Sequence, residues 1–121
     1  MVLVDTSIWI NHFHKSDNKL QNLLYELNVT CHPFIVGELA CGNIRNREEI
    51  LTLLQGLPSE KVVSNEELLF FIDKHKLMGR GIGFVDIHLL AAAKLMGHLL
   101  WSADKRLNSV AAEMGLSFKA R

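Results

Sequence analysis

A chain of 121 residues with 13 basic and 13 acidic side chains has the size of one domain with a real core, and no net charge to draw it toward nucleic acid or a membrane surface. Its 49% apolar and 21% charged residues exclude a disordered or fibrous chain. No apolar run approaches the roughly 20 residues of a bilayer span, and Asp5 interrupts the first one too early for a signal peptide.

The expectation is therefore a cytoplasmic protein with no membrane partner, a single domain over residues 1–121. No repeat, low-complexity tract or Pro/Ser-rich linker divides it. Cys31 and Cys41 lack a CxxC spacing and read as two reduced thiols.

In chain order, VLV (2–4) reads as a strand and TSIWINHF (6–13) as a short helix. A second helix is expected from about Asp17 to Leu27, then a weak strand over NVTC (28–31). Pro33 suits the first turn of the next helix, PFIVGELACG, because its missing N–H costs nothing there. Asn46 begins NREEILTLLQG and has capping-box spacing to Glu49, with Gly56 as the stop.

KVV (61–63) reads as a further strand. Ser64 and Glu67 form an S-x-x-E box at the head of the helix that follows, and Gly79 is expected to end it. GRGIG is a loop, DIHLLAAAKLMG (86–97) a helix, HLLWSAD ends in a strand, DKRLNSVAAEMG is a helix and LSFK a last strand. Strands alternating with helices imply a parallel sheet covered on both faces, a three-layer α/β/α sandwich.

Four acids stand out against this frame. Asp5 closes the first strand, Asp104 lies just past LLW, Asp86 opens a helix after GRGIG, and Glu38 interrupts an otherwise apolar helix. In open parallel sheets ligands bind beyond the carboxyl ends of the strands, so Asp5 and Asp104 are expected on the functional rim.

Taken singly, Asp5, Asp86 and Asp104 read equally well as helix N-caps. Glu38 is harder to dismiss, since an acid between Val36, Leu39 and Ala40 needs a partner, water or an exposed edge. Taken together, converging carboxylates repel, on the order of 4 kcal/mol at about 4 Å and an effective dielectric of 20. A hard divalent cation, Mg²⁺ or Mn²⁺, relieves such repulsion and supports phosphodiester hydrolysis.

VLVDTSIWI, the acid in VGELA, GFVDIHLLAAA and LLWSADKRL, in this order from residue 2 to about 119, resemble the PIN-domain ribonucleases, specifically VapC-type toxins of bacterial toxin–antitoxin pairs. The resemblance implies a sheet of about five parallel strands and metal-binding acids at Asp5, Glu38, Asp86 and Asp104. It also matches a hydroxyl residue, Ser102, two before the last acid. Further implications are Mg²⁺- or Mn²⁺-dependent cleavage of RNA, a homodimer and a cognate VapB-type antitoxin.

Competing readings lack their own signatures. A receiver-like signalling domain wants an acidic pair at the first strand, and Thr6 follows Asp5; an aspartyl phosphatase wants D-x-D, and position 7 is Ser. A catalytically silent PIN fold acting only as a binding module is opposed by the intact acid set.

Among the remaining polar residues, His12 and His14 at i and i+2 do not share a helix face, so a zinc pair is not expected, and His88 is offset from Asp86 in the same way. GRGIG lacks the Lys-Ser/Thr of a phosphate loop. Arg80, Lys105 and Arg106 flank the acids and read either as solvated charge or as contacts to RNA phosphates. Ile8, Trp9 and Phe13 form an apolar stripe, read as core or as a partner contact.

Overall fold

The computed structural model describes residues 1–119. Its elements are β1 (Val2–Val4), α1 (Thr6–His14), α2 (Asn18–Tyr25), β2 (Val29–Thr30), α3 (Pro33–Cys41), α4 (Arg47–Gln55), α5 (Asn65–His75), α6 (Phe84–Met96), β3 (Leu99–Trp101) and α7 (Lys105–Glu113). The strands form one parallel sheet in the order β2-β1-β3. Successive side chains of a strand point to opposite faces, yet Val2, Leu3 and Val4 are all buried. Both faces of the central strand are thus covered, as the expected α/β sandwich requires.

The resemblance implied about five strands; among the described residues three form. The edges carry one isolated parallel bridge each, Cys31 to Ser59 and Leu100 to Ser117. On one side Cys31 N donates to Pro58 O (2.9 Å) and Glu60 N to Cys31 O (2.7 Å); on the other Leu100 N donates to Leu116 O (2.7 Å) and Phe118 N to Leu100 O (2.9 Å). The pairing on the first edge falls before KVV, which makes no strand; Val63 packs into the core instead. One bridge satisfies the sheet edge without building a ladder.

Helix starts follow local chemistry. The box at α5 forms: Ser64 Oγ accepts from Glu67 N (3.1 Å) and Glu67 Oε1 from Ser64 N (3.0 Å). The expected box at Asn46 does not, because Asn46 sits in the left-handed region (φ 56°) with no side-chain cap bond. α5 ends earlier than expected, at His75, with Lys76 left-handed; Gly79 (φ 69°) turns the loop beyond. Pro33 opens α3, capped by His32, whose Nδ1 accepts from Phe34 N (3.0 Å).

α6 begins at Phe84, which puts Asp86 inside its first turn rather than at its opening. Ile8 and Trp9 are buried and Phe13 packs against the core, together with Leu3, Leu20, Ile35, Leu39 and Leu90. No helix among the described residues is long and apolar enough to cross a membrane.

Candidate functional site

The carboxyl ends of β1 and β3 deliver the first part of the site. Asp5 follows β1 directly, its N–H donating to Trp101 O (2.8 Å) and so carrying the parallel pairing one residue past the strand. Its carboxylate is 7% exposed for the residue as a whole and is held on three sides. Thr6 N donates to Oδ1 (2.8 Å), while Ser102 Oγ (2.7 Å) and Ser7 Oγ (3.2 Å) donate to Oδ2. These donors replace the water that burial removes.

Ser102 joins two of the acids. Its hydroxyl donates to Asp5 and accepts from Asp104 N (3.0 Å), and its carbonyl accepts from Asn108 Nδ2 (2.7 Å). Asp104 caps α7: its Oδ1 accepts from Arg106 N (2.8 Å) and Leu107 N (3.0 Å). From α3, Glu38 Oε1 accepts a hydrogen bond from Thr6 Oγ1 (2.6 Å), which ties a third acid to the residue after Asp5. From α6, Asp86 Oδ2 accepts from Gly83 N (3.2 Å).

Asp86 feels the other three. Burial raises its carboxyl pKa first, and repulsion from Asp5, Asp104 and Glu38 adds to the rise; only the Gly83 N–H opposes them. No cation contributes an offset there. Each acid nevertheless keeps its own local donor, and among the described residues no three His, Cys, Asp or Glu side chains close to the distance of a shared ion. The donor chemistry fits a hard divalent cation, since it offers carboxylate oxygens and a hydroxyl and neither sulfur nor imidazole.

The N-cap reading and the site reading are both realised in part. Asp5 and Asp104 bond the backbone N–H groups at the heads of α1 and α7, and Asp86 bonds backward to Gly83 N. Capping fixes where these carboxylates stand; it does not remove their mutual charge.

Thr6, Ser7 and Asn108 bond the candidate residues Asp5, Glu38 and Ser102, and motif reading passed over them. The hydroxyl pair immediately behind Asp5 was the available signal, whereas nothing in the sequence points from Asn108 to Ser102. Ser7 also accepts from Ala103 N (3.0 Å), which draws the start of α1 onto the segment between β3 and α7.

The flanking groups separate by environment. His88 is buried beside Asp86 on the chain, stacked edge-on between Phe34 and Phe84, and burial lowers its pKa. His32 is buried behind it and held near 4 by burial first and by His88 second. Both histidines are thus aromatic core. Arg80 pairs with Glu113 across the surface, and the guanidinium of Arg106 lies against Gly81.

The domain is a parallel α/β fold with acids just past β1 and β3 and on α3 and α6. The chain belongs to the PIN-domain family, whose model matches residues 2–113. It is of the VapC type within that family: it is 42% identical over 118 residues to Ribonuclease VapC32 from two strains of Mycobacterium tuberculosis, covering 97% of this chain and 95% of the relative.

Proposed function

We propose that this protein is a Mg²⁺- or Mn²⁺-dependent endoribonuclease, the toxin of a toxin–antitoxin pair, with one domain over residues 1–121. Asp5, Glu38, Asp86 and Asp104 would hold the cation, and Ser102 would orient the acids on either side of it. The observation that carries the reading is geometric: Ser102 bonds both the Asp5 carboxylate and the backbone of Asp104, and Thr6, next to Asp5, bonds Glu38. Kinship with a protein named as a ribonuclease supports the same reaction.

A divalent cation held by these acids would supply Lewis-acid chemistry, polarising a phosphoryl oxygen and lowering the pKa of water. The chain's own residues supply the frame. Ser102 and Ser7 donate to Asp5 Oδ2 and so fix the direction of that carboxylate at the end of β1. Thr6 restrains Glu38 in the same manner. Ser102 spaces Asp104 from Asp5 by bonding one side chain and the other's backbone.

A VapB-type antitoxin as partner, a homodimer and a cytoplasmic location complete the proposal. The deciding experiment incubates purified protein with total cellular RNA, with Mn²⁺ or with EDTA, and maps the new ends. Discrete ends that vanish in EDTA are expected. Intact RNA from folded, Mn²⁺-supplied protein would favour the silent binding module instead.

A further inference from the structure

Of the three cations that flank the acids in the sequence, Lys105 is exposed, and the structure treats the two arginines differently. Arg80 is neutralised by Glu113, which pins the loop before α6 to the end of α7. Arg106 is exposed and, among the described residues, makes no ion pair, although it stands two residues from Asp104. An unpaired guanidinium beside a carboxylate cluster is normally drawn onto it. Here it is seated elsewhere.

The seat is backbone. A Cβ at Gly81 would stand 2.8 Å from Arg106 Nη1 and 3.0 Å from its Cδ, so the arginine lies in the space that a side chain at 81 would fill. Gly81 also has φ +77°, a conformation that other residues adopt with strain. The same loop continues to Gly83, whose N–H bonds Asp86, while Arg106 N bonds Asp104. The guanidinium thus stands beside Gly81, between the segments that carry two of the acids.

We infer that Arg106 binds a backbone phosphate of the RNA, seated for that contact against Gly81. The inference rests on the ribonuclease reading. A chain of zero net charge has no general field to hold a polyanion, so phosphate affinity must come from particular cations. The planar fork of arginine suits a phosphate. Arg80, spent on Glu113, is assigned no such role.

The test is binding of a short single-stranded RNA, in EDTA to prevent cleavage, across a range of salt concentrations. It compares wild type with Arg106→Gln, Arg106→Lys and Arg80→Gln. Arg106→Gln should bind more weakly, and its slope of log affinity against log salt should be shallower by ~0.7, the share of one phosphate on a single strand. Arg106→Lys should keep the slope, and Arg80→Gln should leave it unchanged. Gly81→Ala should weaken binding in the wild type and not in the Arg106→Gln background, because both changes act through one guanidinium.

A wild-type slope in folded Arg106→Gln overturns this inference and leaves the ribonuclease reading standing. An Arg106→Gln protein with unaltered RNA slope but altered Mn²⁺ affinity makes Arg106 a neutraliser of the acids and likewise overturns it. Wild-type protein that neither binds nor cuts RNA overturns the ribonuclease reading, and this inference with it.

Discussion

Ser102 carries more of the site than its size suggests. Removing its hydroxyl leaves Asp5 Oδ2 short of its best donor and Asp104 N without an acceptor. Ser102→Ala is expected to cost about 1–3 kcal/mol, the range for stripping partners from buried polar groups, and to slow RNA cleavage. Urea unfolding and a cleavage assay on the same preparation measure both effects. A variant of wild-type stability and rate would reduce Ser102 to a bystander.

Asp86 should behave in the opposite sense. Its folded pKa is raised, so the folded state holds more protons than the unfolded chain. The carboxyl therefore costs stability increasingly as pH climbs from the ordinary carboxylate value through the raised one. Asp86→Asn retains an acceptor for Gly83 N and loses the charge. In EDTA near pH 7 it should unfold at or above the wild-type midpoint. Thermal melts in EDTA read this directly, and a clearly less stable variant would make Asp86 mainly a helix cap.

Asp5 and Asp104 stood out because an acid just past an apolar strand is a local pattern, and Glu38 and Asp86 because each is an acid on a largely apolar helix. Their braces did not. Ser102 and Asp5 are 97 positions apart, and the hydroxyls of Thr6 and Ser7 find Glu38 and Ala103 only once α3 and the end of β3 have been brought alongside. No spacing rule in one sequence encodes such a meeting.

At the scale of elements, two helix starts with similar sequence signals diverge. Ser64→Ala should cost about 1 kcal/mol through loss of the α5 cap. Asn46→Gly should change stability by no more than ~0.5 kcal/mol, since Asn46 makes no cap bond and its left-handed backbone suits glycine. Equal losses at the two positions would contradict the structure. The same distinction shows why the Asn46 box was misread: the spacing was present, but the backbone enters α4 from the wrong conformation to use it.

The start of α3 has its own pH dependence. His32 Nδ1 must be unprotonated to accept from Phe34 N, and its pKa is lowered to about 4 from the ordinary 6.5. The unfolded chain therefore takes the proton first. Stability from this group is complete above about pH 6.5 and is lost as pH falls toward 4, by up to ~3 kcal/mol at 1.36 kcal/mol per unit. His32→Asn, which still offers a cap acceptor, should flatten the acid limb of a plot of stability against pH. An unchanged limb would place the acid sensitivity elsewhere.

For the whole molecule, the alternation of strands and helices was enough to read a covered parallel sheet, because the period of apolar residues changes with each element. The number of strands was not. Residues 59–60 and 116–118 pair with the sheet through single bridges, and a triad such as KVV looks the same in sequence whether it joins a ladder or packs a lone valine inward. Net charge also hid the substrate side of the protein, since any affinity for RNA has to come from a few placed cations rather than from an overall field.

The central claim is that the gathered acids form one cation site that cuts RNA. Its most direct measurement is the rate at which purified protein cleaves a single-stranded RNA in Mn²⁺, for wild type and for Asp5→Asn and Asp86→Asn shown by circular dichroism to be folded. Wild type should cut in Mn²⁺ and stop in EDTA. Each variant should be slower by at least ~10²-fold, as loss of several kcal/mol of metal-borne stabilisation requires. Either folded variant cutting at the wild-type rate would contradict the account.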